Sequence, residues 1–258
     1  MEQLRFFINQ KYPDSYGFHS NSSHTGRTIM FAELRIAMDN THDLMGKDEL
    51  RKILVDENLL KKESYDGRKR TYSHLLGLYG LDANNKNYQG LLKYWDKDAS
   101  DLNILAMLCA LSRDEALRIS ANYILSLSNG EIVDRSGLKH IIDENFGEKY
   151  SEKVRQSMLR NVLSSWTQSG HLKGKSKRIR DKPIVTPNSF AYACYLAYLA
   201  GFRGNRVFHS PWVKVLCLSD NEFDIIIRDI NRKGLMTLKR AGDIVEVSFP
   251  EELVDGVE

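Results

Sequence analysis

Between Ser151 and Lys182 the chain reads SEKVRQSMLRNVLSSWTQSGHLKGKSKRIRDK, a stretch dense in side chains that donate hydrogen bonds to phosphate oxygens or base edges. Lys153, Arg155, Gln156, Arg160, Asn161 and Ser164 occupy one side of a helical period. Its other side is Val154, Met158, Leu159, Val162, Leu163 and Trp166, with Ser151 placed to accept from the first free backbone N–H groups. Gly170 ends the period. Lys173, Lys175, Lys177, Arg178, Arg180 and Lys182 then crowd a short segment that runs into Pro183-Ile184-Val185. Cations at this density neutralise phosphates, whereas Arg, Gln and Asn on a helix face can read bases. A helix of this kind followed by a basic β-like loop predicts a winged-helix unit; taken alone, the same residues also read as a core helix and a solvated charge run.

A second cationic group, Arg68, Lys69 and Arg70, opens a candidate helix whose apolar face is Tyr72, Leu75, Leu76 and Tyr79. Two shorter helical periods precede it, one from Thr28 through Met38 and one after Gly46 with Leu50, Ile53 and Leu54. Three short helices, the last opening with cations, predict a helix-turn-helix unit. Phosphate contacts are assigned to Arg68, Lys69, Arg70, Lys173, Lys175, Lys177, Arg178 and Arg180, and base-edge contacts to Arg155, Gln156, Arg160 and Asn161.

The elements that must position these residues are also legible. DANNKNYQG, from Asp82 to Gly90, reads as a polar break; an apolar helix follows around Leu102 to Leu111, and Ser112 with Glu115 forms a capping-box pattern for the next. A helix near Leu138 to Ile142 precedes the one after Ser151, and Thr186-Pro187-Asn188 breaks the chain again. FAYACYLAYLAGF, thirteen residues from Phe190, is shorter than the roughly 20 needed to cross a bilayer and predicts a core helix. Ser219 and Glu222 form a second capping box before the stripe Phe223, Ile226, Ile227 and Ile230. LMTLKRAGDIVEVSFP alternates about Ala241-Gly242-Asp243 and predicts a two-stranded wing. The predicted fold is mainly α, with tandem helix-turn-helix and winged-helix-like units carrying short β wings. Its divisions are a helix-turn-helix unit over 1–85, a helical middle domain with a winged-helix-like unit over 86–187, and a C-terminal winged-helix-like unit over 188–258.

Composition limits the alternatives. With 42% hydrophobic and 28% charged residues among 258, disorder is not indicated. The 37 Lys and Arg exceed the 34 Asp and Glu by a formal charge of only +3, so a polyanion partner has to be argued from placement. Cys109, Cys194 and Cys217 sit in apolar segments without ligand spacing and read as small buried hydrophobes in a reducing cytosol. MEQLRFFINQKYPDS has no secretory pattern, and His19 and His24, in HSNSSHTGR, read as a surface loop. No phosphate loop, dinucleotide turn, nucleophile elbow or zinc-protease helix occurs, so neither cofactor nor metal is expected and the chain reads as non-enzymatic. Arg135 and His140 match the R-x4-H signature of HEPN ribonucleases, and Arg68 with His74 a looser form, but Gly137 is poorly suited to the middle of a catalytic helix.

Two stretches carry a family resemblance. VDENLLKKESYDGRKRTYSHLLGLYGL, from Val55 to Leu81, resembles a helix junction of the BrxA family of BREX (bacteriophage exclusion) phage-restriction systems, and SEKVRQSMLRNVLSSWTQSGHL resembles a later helix of that family. The likeness spans roughly residues 25 to 187; the chain is longer, with an added C-terminal segment. It implies a cytoplasmic, non-enzymatic binder of double-stranded DNA in antiviral defence, working beside a methyltransferase, a phosphatase-like protein and an ATPase. Because the last wing mixes Asp243 and Glu246 with Lys239 and Arg240, an adaptor between proteins is a second reading, and a winged-helix transcriptional regulator stands as a further alternative.

Overall fold

A computed structural model describes residues 7, 16–20, 22–40, 45–242 and 244–257. Most of the N-terminal stretch read for a secretory signal, and Asp243 of the C-terminal turn, lie outside them. The protein is mainly helical with two short β hairpins, as its periodicities predict. The helices are α1 (Phe31–Asp39), α2 (Lys47–Arg51, continued by a π-helical turn Lys52–Asp56), α3 (Tyr65–Tyr79), α4 (Lys86–Tyr94), α5 (Leu102–Arg113), α6 (Glu115–Ser126), α7 (Arg135–Phe146) and α8 (Glu152–Gln168). After strands β1 (Leu172–Lys173) and β2 (Ile179–Arg180) follow α9 (Pro187–Leu199), α10 (Pro211–Lys214), α11 (Asp220–Lys233), strands β3 (Thr237–Ala241) and β4 (Ile244–Ser248), and α12 (Glu251–Val254).

Helix α5 is the axis of the core. Every residue of it except Asn103 is buried, and it packs on α1, α3, α4, α6, α8 and α9. A helix apolar on all sides is stable only when neighbours cover all sides. Helix α9 is the second such element: Ser189 through Ala197 are buried without interruption, which places the apolar run from Phe190 inside the protein.

The helix starts follow local chemistry, with two corrections. Asp114, not Ser112, caps α6: its carboxylate accepts the Leu117 N–H at 3.1 Å. Ser112 belongs to α5, where its buried hydroxyl donates to the Cys109 carbonyl at 2.6 Å and takes the Asn87 amide. Ser151 stands at the N-cap of α8, but its side chain accepts no capping bond. The second capping box is present, with the Glu222 carboxylate taking the Ser219 N–H at 2.9 Å. The polar stretch after Asp82 is only half a break. Asn85 caps α4, and Asn87, Tyr88 and Gly90 are buried in it. Gly90 has no room for a side chain, since an added Cβ would lie 2.5 Å from the Tyr195 ring.

Two segments share one order of elements. In the first, α6 leads through Ile132 to α7, α8, β1 and β2, and Ile132 bridges Ile179 so that β2 lies between it and β1. In the second, α9 leads through a 3-10 turn (Gly204–Val207) to α10, α11, β3 and β4, with that turn packed on β4. Helix, edge segment, helix, helix and hairpin in this order make a winged-helix-like unit, present here twice.

Candidate nucleic-acid interface

In the first unit α8 is the third helix and the loop 174–178 is the wing. The helix buries Met158, Leu159, Val162, Leu163 and Trp166, and Trp166 is held by a 2.8 Å bond from its indole N–H to the Ser120 hydroxyl. Burying that stripe leaves Lys153, Gln156 and Arg160 exposed on the opposite side. Gln156 donates to Glu152 at 3.1 Å, and Arg160 rests on the Ser157 hydroxyl at 2.7 Å, which keeps both side chains close to the helix. Gly174, with φ +93°, turns the wing; a Cβ there would meet the Lys177 carbonyl. Lys175 and Lys177 project from this turn, exposed, and neither has an ion-pair partner among the described residues.

The other cations of the stretch are engaged. Arg155 donates to Asp143 of α7 at 2.6 Å and to the Tyr150 carbonyl, and Asp143 also takes Lys139; these two bonds hold its carboxyl below the usual carboxylate range. Lys173 pairs with Asp181 at 3.2 Å, and Lys182 pairs with Glu222, whose carboxyl is lowered to about 2 chiefly by that lysine and by Ser219. Arg178 is half-buried and donates to the Thr167 hydroxyl at 3.3 Å; burial and then the nearby Arg135 guanidinium lower its pKa. Arg180 is inside the protein, 5% exposed, donating to the carbonyls of His171 (3.0 Å) and Asp181 and contacting the Cys217 sulfur at 2.9 Å. Asn161 donates to the backbone carbonyl of His24 at 2.9 Å.

The α3 group lies far from this stretch in sequence. Arg68 is half-buried against the Val55 carbonyl at 3.4 Å. Lys69 lies over the Tyr65 ring at 4.3 Å and within 4.0 Å of Asp66, while Arg70 folds back on the Asp66 carbonyl at 3.3 Å.

His19, Ser20, Gly26 and Arg27 are exposed, as a surface loop requires, but His24 of the same segment is not. It is fully buried: Nε2 lies 2.8 Å from the Ser165 hydroxyl and Nδ1 lies 3.0 Å from an Asp114 carboxylate oxygen. Ser, His and Asp in this sequence of contacts resemble a hydrolytic triad. All three are 0% exposed, however, and the Ser165 oxygen already accepts the Ile29 N–H at 3.0 Å and approaches the Asn161 carbonyl at 2.8 Å. The group is a staple that fastens the segment before α1 across α6 and α8. It also covers one flank of α8, taking Asn161, Ser165 and, through the Phe31 N–H at 3.3 Å, Gln168 out of play.

A second buried histidine joins the two winged units. His171 contacts Ser169 at 2.8 Å through Nδ1 and the Val215 carbonyl at 2.8 Å through Nε2; burial pushes its pKa from 6.5 down to about 3. Cys217 closes the same junction; burial raises its thiol, and φ is +54°. Among the described residues no three His, Cys, Asp or Glu side chains converge as metal ligands, and no helix is long and apolar enough to cross a membrane. The Arg135–His140 pair lies exposed along α7, with His140 3.2 Å from Glu144.

By its order of elements the molecule falls in the winged-helix-like class, with the units in tandem. Compared with protein-family models the chain matches none, and no curated protein is significantly similar to it.

Proposed function

We propose that the protein is a non-enzymatic binder of duplex DNA that works through the first winged unit, with α8 toward a groove and the 174–178 loop on the phosphates. The observation that carries this reading is the pairing of an exposed Lys153, Gln156 and Arg160 stripe on the third helix with two unpaired lysines at the wing tip. A third helix and a wing meet DNA together in winged-helix binders because a helix fits the major groove while the hairpin reaches the adjacent backbone. Charge supports the same placement. Residues 86–187 hold 17 Lys and Arg against 12 Asp and Glu, whereas residues 188–258 hold 8 against 10.

On this reading Lys175 and Lys177 contact phosphates, and Gln156 and Arg160 are the base-reading pair. Arg155, Asn161 and Arg180 leave the contact set, because each is used inside the protein. The resemblance of Val55–Leu81 and Ser151–Leu172 to the BrxA family supports a setting in a BREX-like phage-defence system, beside a methyltransferase, a phosphatase-like protein and an ATPase. Anisotropy of labelled duplexes of random and selected sequence tests the division of labour. R160A costs ~1–3 kcal/mol on a selected site and relaxes preference at one base position. Equal weakening of R160A on every sequence would assign Arg160 to phosphate instead.

A further inference from the structure

The second winged unit carries a groove where the first has an exposed cationic face. It measures about 480 Å³ and lies between α11, β3 and the turn before α10. Its lining is mixed: Phe208, Phe223, Ile227 and Leu238 form an apolar strip, beside Asn205, Asn231 and the Asp224 carboxylate, and Phe208 and Phe223 meet edge to face at 5.5 Å. Arg228 stands on the helix wall and Arg240 on the strand wall, both exposed. Among the described residues neither guanidinium is ion-paired; Arg228 only folds back on the Asp224 carbonyl at 3.2 Å.

We propose that this groove docks an acidic peptide segment of a partner protein, with apolar side chains on the phenylalanine strip and carboxylates on Arg228 and Arg240. Two guanidiniums, neither ion-paired among the described residues, outnumber the one Asp224 carboxylate along this apolar strip and complement a ligand that alternates aliphatic or aromatic anchors with carboxylates. The volume falls in the range that binding clefts occupy. Duplex DNA fits poorly. Its backbone offers no apolar anchor for the strip, and it would meet Asp220, Glu222 and Asp224 in the opening turns of α11, where a reading helix needs donors. A peptide places its carboxylates only where the arginines are.

The test is selection of a random peptide display library of about 12 residues on the full-length chain, followed by anisotropy of the enriched peptides. Enrichment of Asp and Glu interleaved with Phe, Leu or Trp is expected. R228E/R240E should weaken the enriched peptides at least about tenfold, a change of ~1.4 kcal/mol or more, and R228K/R240K should retain most of the affinity. Both substitutions are at exposed positions, and a thermal melt matching the native chain confirms that the variants fold. Three results would overturn the proposal: no enrichment, equal binding of the enriched peptides to R228E/R240E, or their displacement by an oligothymidylate that itself binds in an arginine-dependent way.

Discussion

The division between Lys175, Lys177 and Arg160 on one side and Arg155, Arg178 and Arg180 on the other decides what each substitution does. An exposed cation without a partner is available to a phosphate, whereas a buried guanidinium that satisfies carbonyls holds the fold. R180A removes donors to His171, Asp181 and Cys217 and leaves the buried His171 carbonyl short of one of them, so it lowers unfolding free energy by ~1–3 kcal/mol, read from urea denaturation. Its DNA affinity, measured on the folded fraction, stays near native. A native melt with lost DNA binding would reverse the assignment. D114A removes the α6 cap and the carboxylate beside buried His24 together, and costs ~1–3 kcal/mol on the same assay. The sequence shows the cations between Lys153 and Lys182 as one basic stretch. What it lacks is the partner of each. Asp143 lies twelve residues before Arg155, and the carbonyls that hold Arg180, those of His171 and Asp181, flank β1 and β2 and come together only once these strands pair. His24 was illegible for the same reason, since Asp114 and Ser165 lie 90 and 141 residues away.

At the scale of elements, the long periodic helices were legible because each carries its own burial pattern. Helix α8 is legible in the Val154-to-Trp166 stripe and α11 in the Phe223-to-Ile230 stripe, the first hairpin in a basic loop after Gly170 and the second in alternation about Ala241-Gly242. Helix α4 was missed because its buried face includes Asn87 and Gly90, residues that read as turn until Tyr192 and Tyr195 of α9 close on them. G90A therefore costs ~1–3 kcal/mol through overpacking against Tyr195, where an exposed helical Gly→Ala change stabilises; a chemical melt decides the sign. The junction of the two winged units makes a pH prediction. His171 is neutral in the fold, with its pKa lowered to about 3, and takes a proton at 6.5 once unfolded. The unfolded chain then binds the extra proton between these values, so this contribution is full above pH 6.5 and declines as pH falls toward 3, by ~1.4 kcal/mol per pH unit. Urea denaturation at neutral and mildly acidic pH should show that slope in the native chain and a shallower one in H171N. An unchanged slope in H171N would remove His171 as its source.

For the whole molecule, the two winged units differ in charge: the first is cationic and its wing lysines have no ion-pair partner among the described residues, the second is slightly acidic and has a groove of mixed lining with an arginine on each wall. A tandem of this kind can hold DNA with one unit and a partner with the other. The fold class is legible in composition and period; which cations stay exposed is not, because that depends on which charges pair across the fold. The measurement that bears most directly on the central claim is equilibrium binding of the native chain and of K175A/K177A to one short duplex across a series of salt concentrations. Native binding should fall steeply with salt, and the double variant should show a log–log slope smaller by about two, with an unchanged melting temperature. Absence of binding at low salt, or identical slopes for the two proteins, would contradict it.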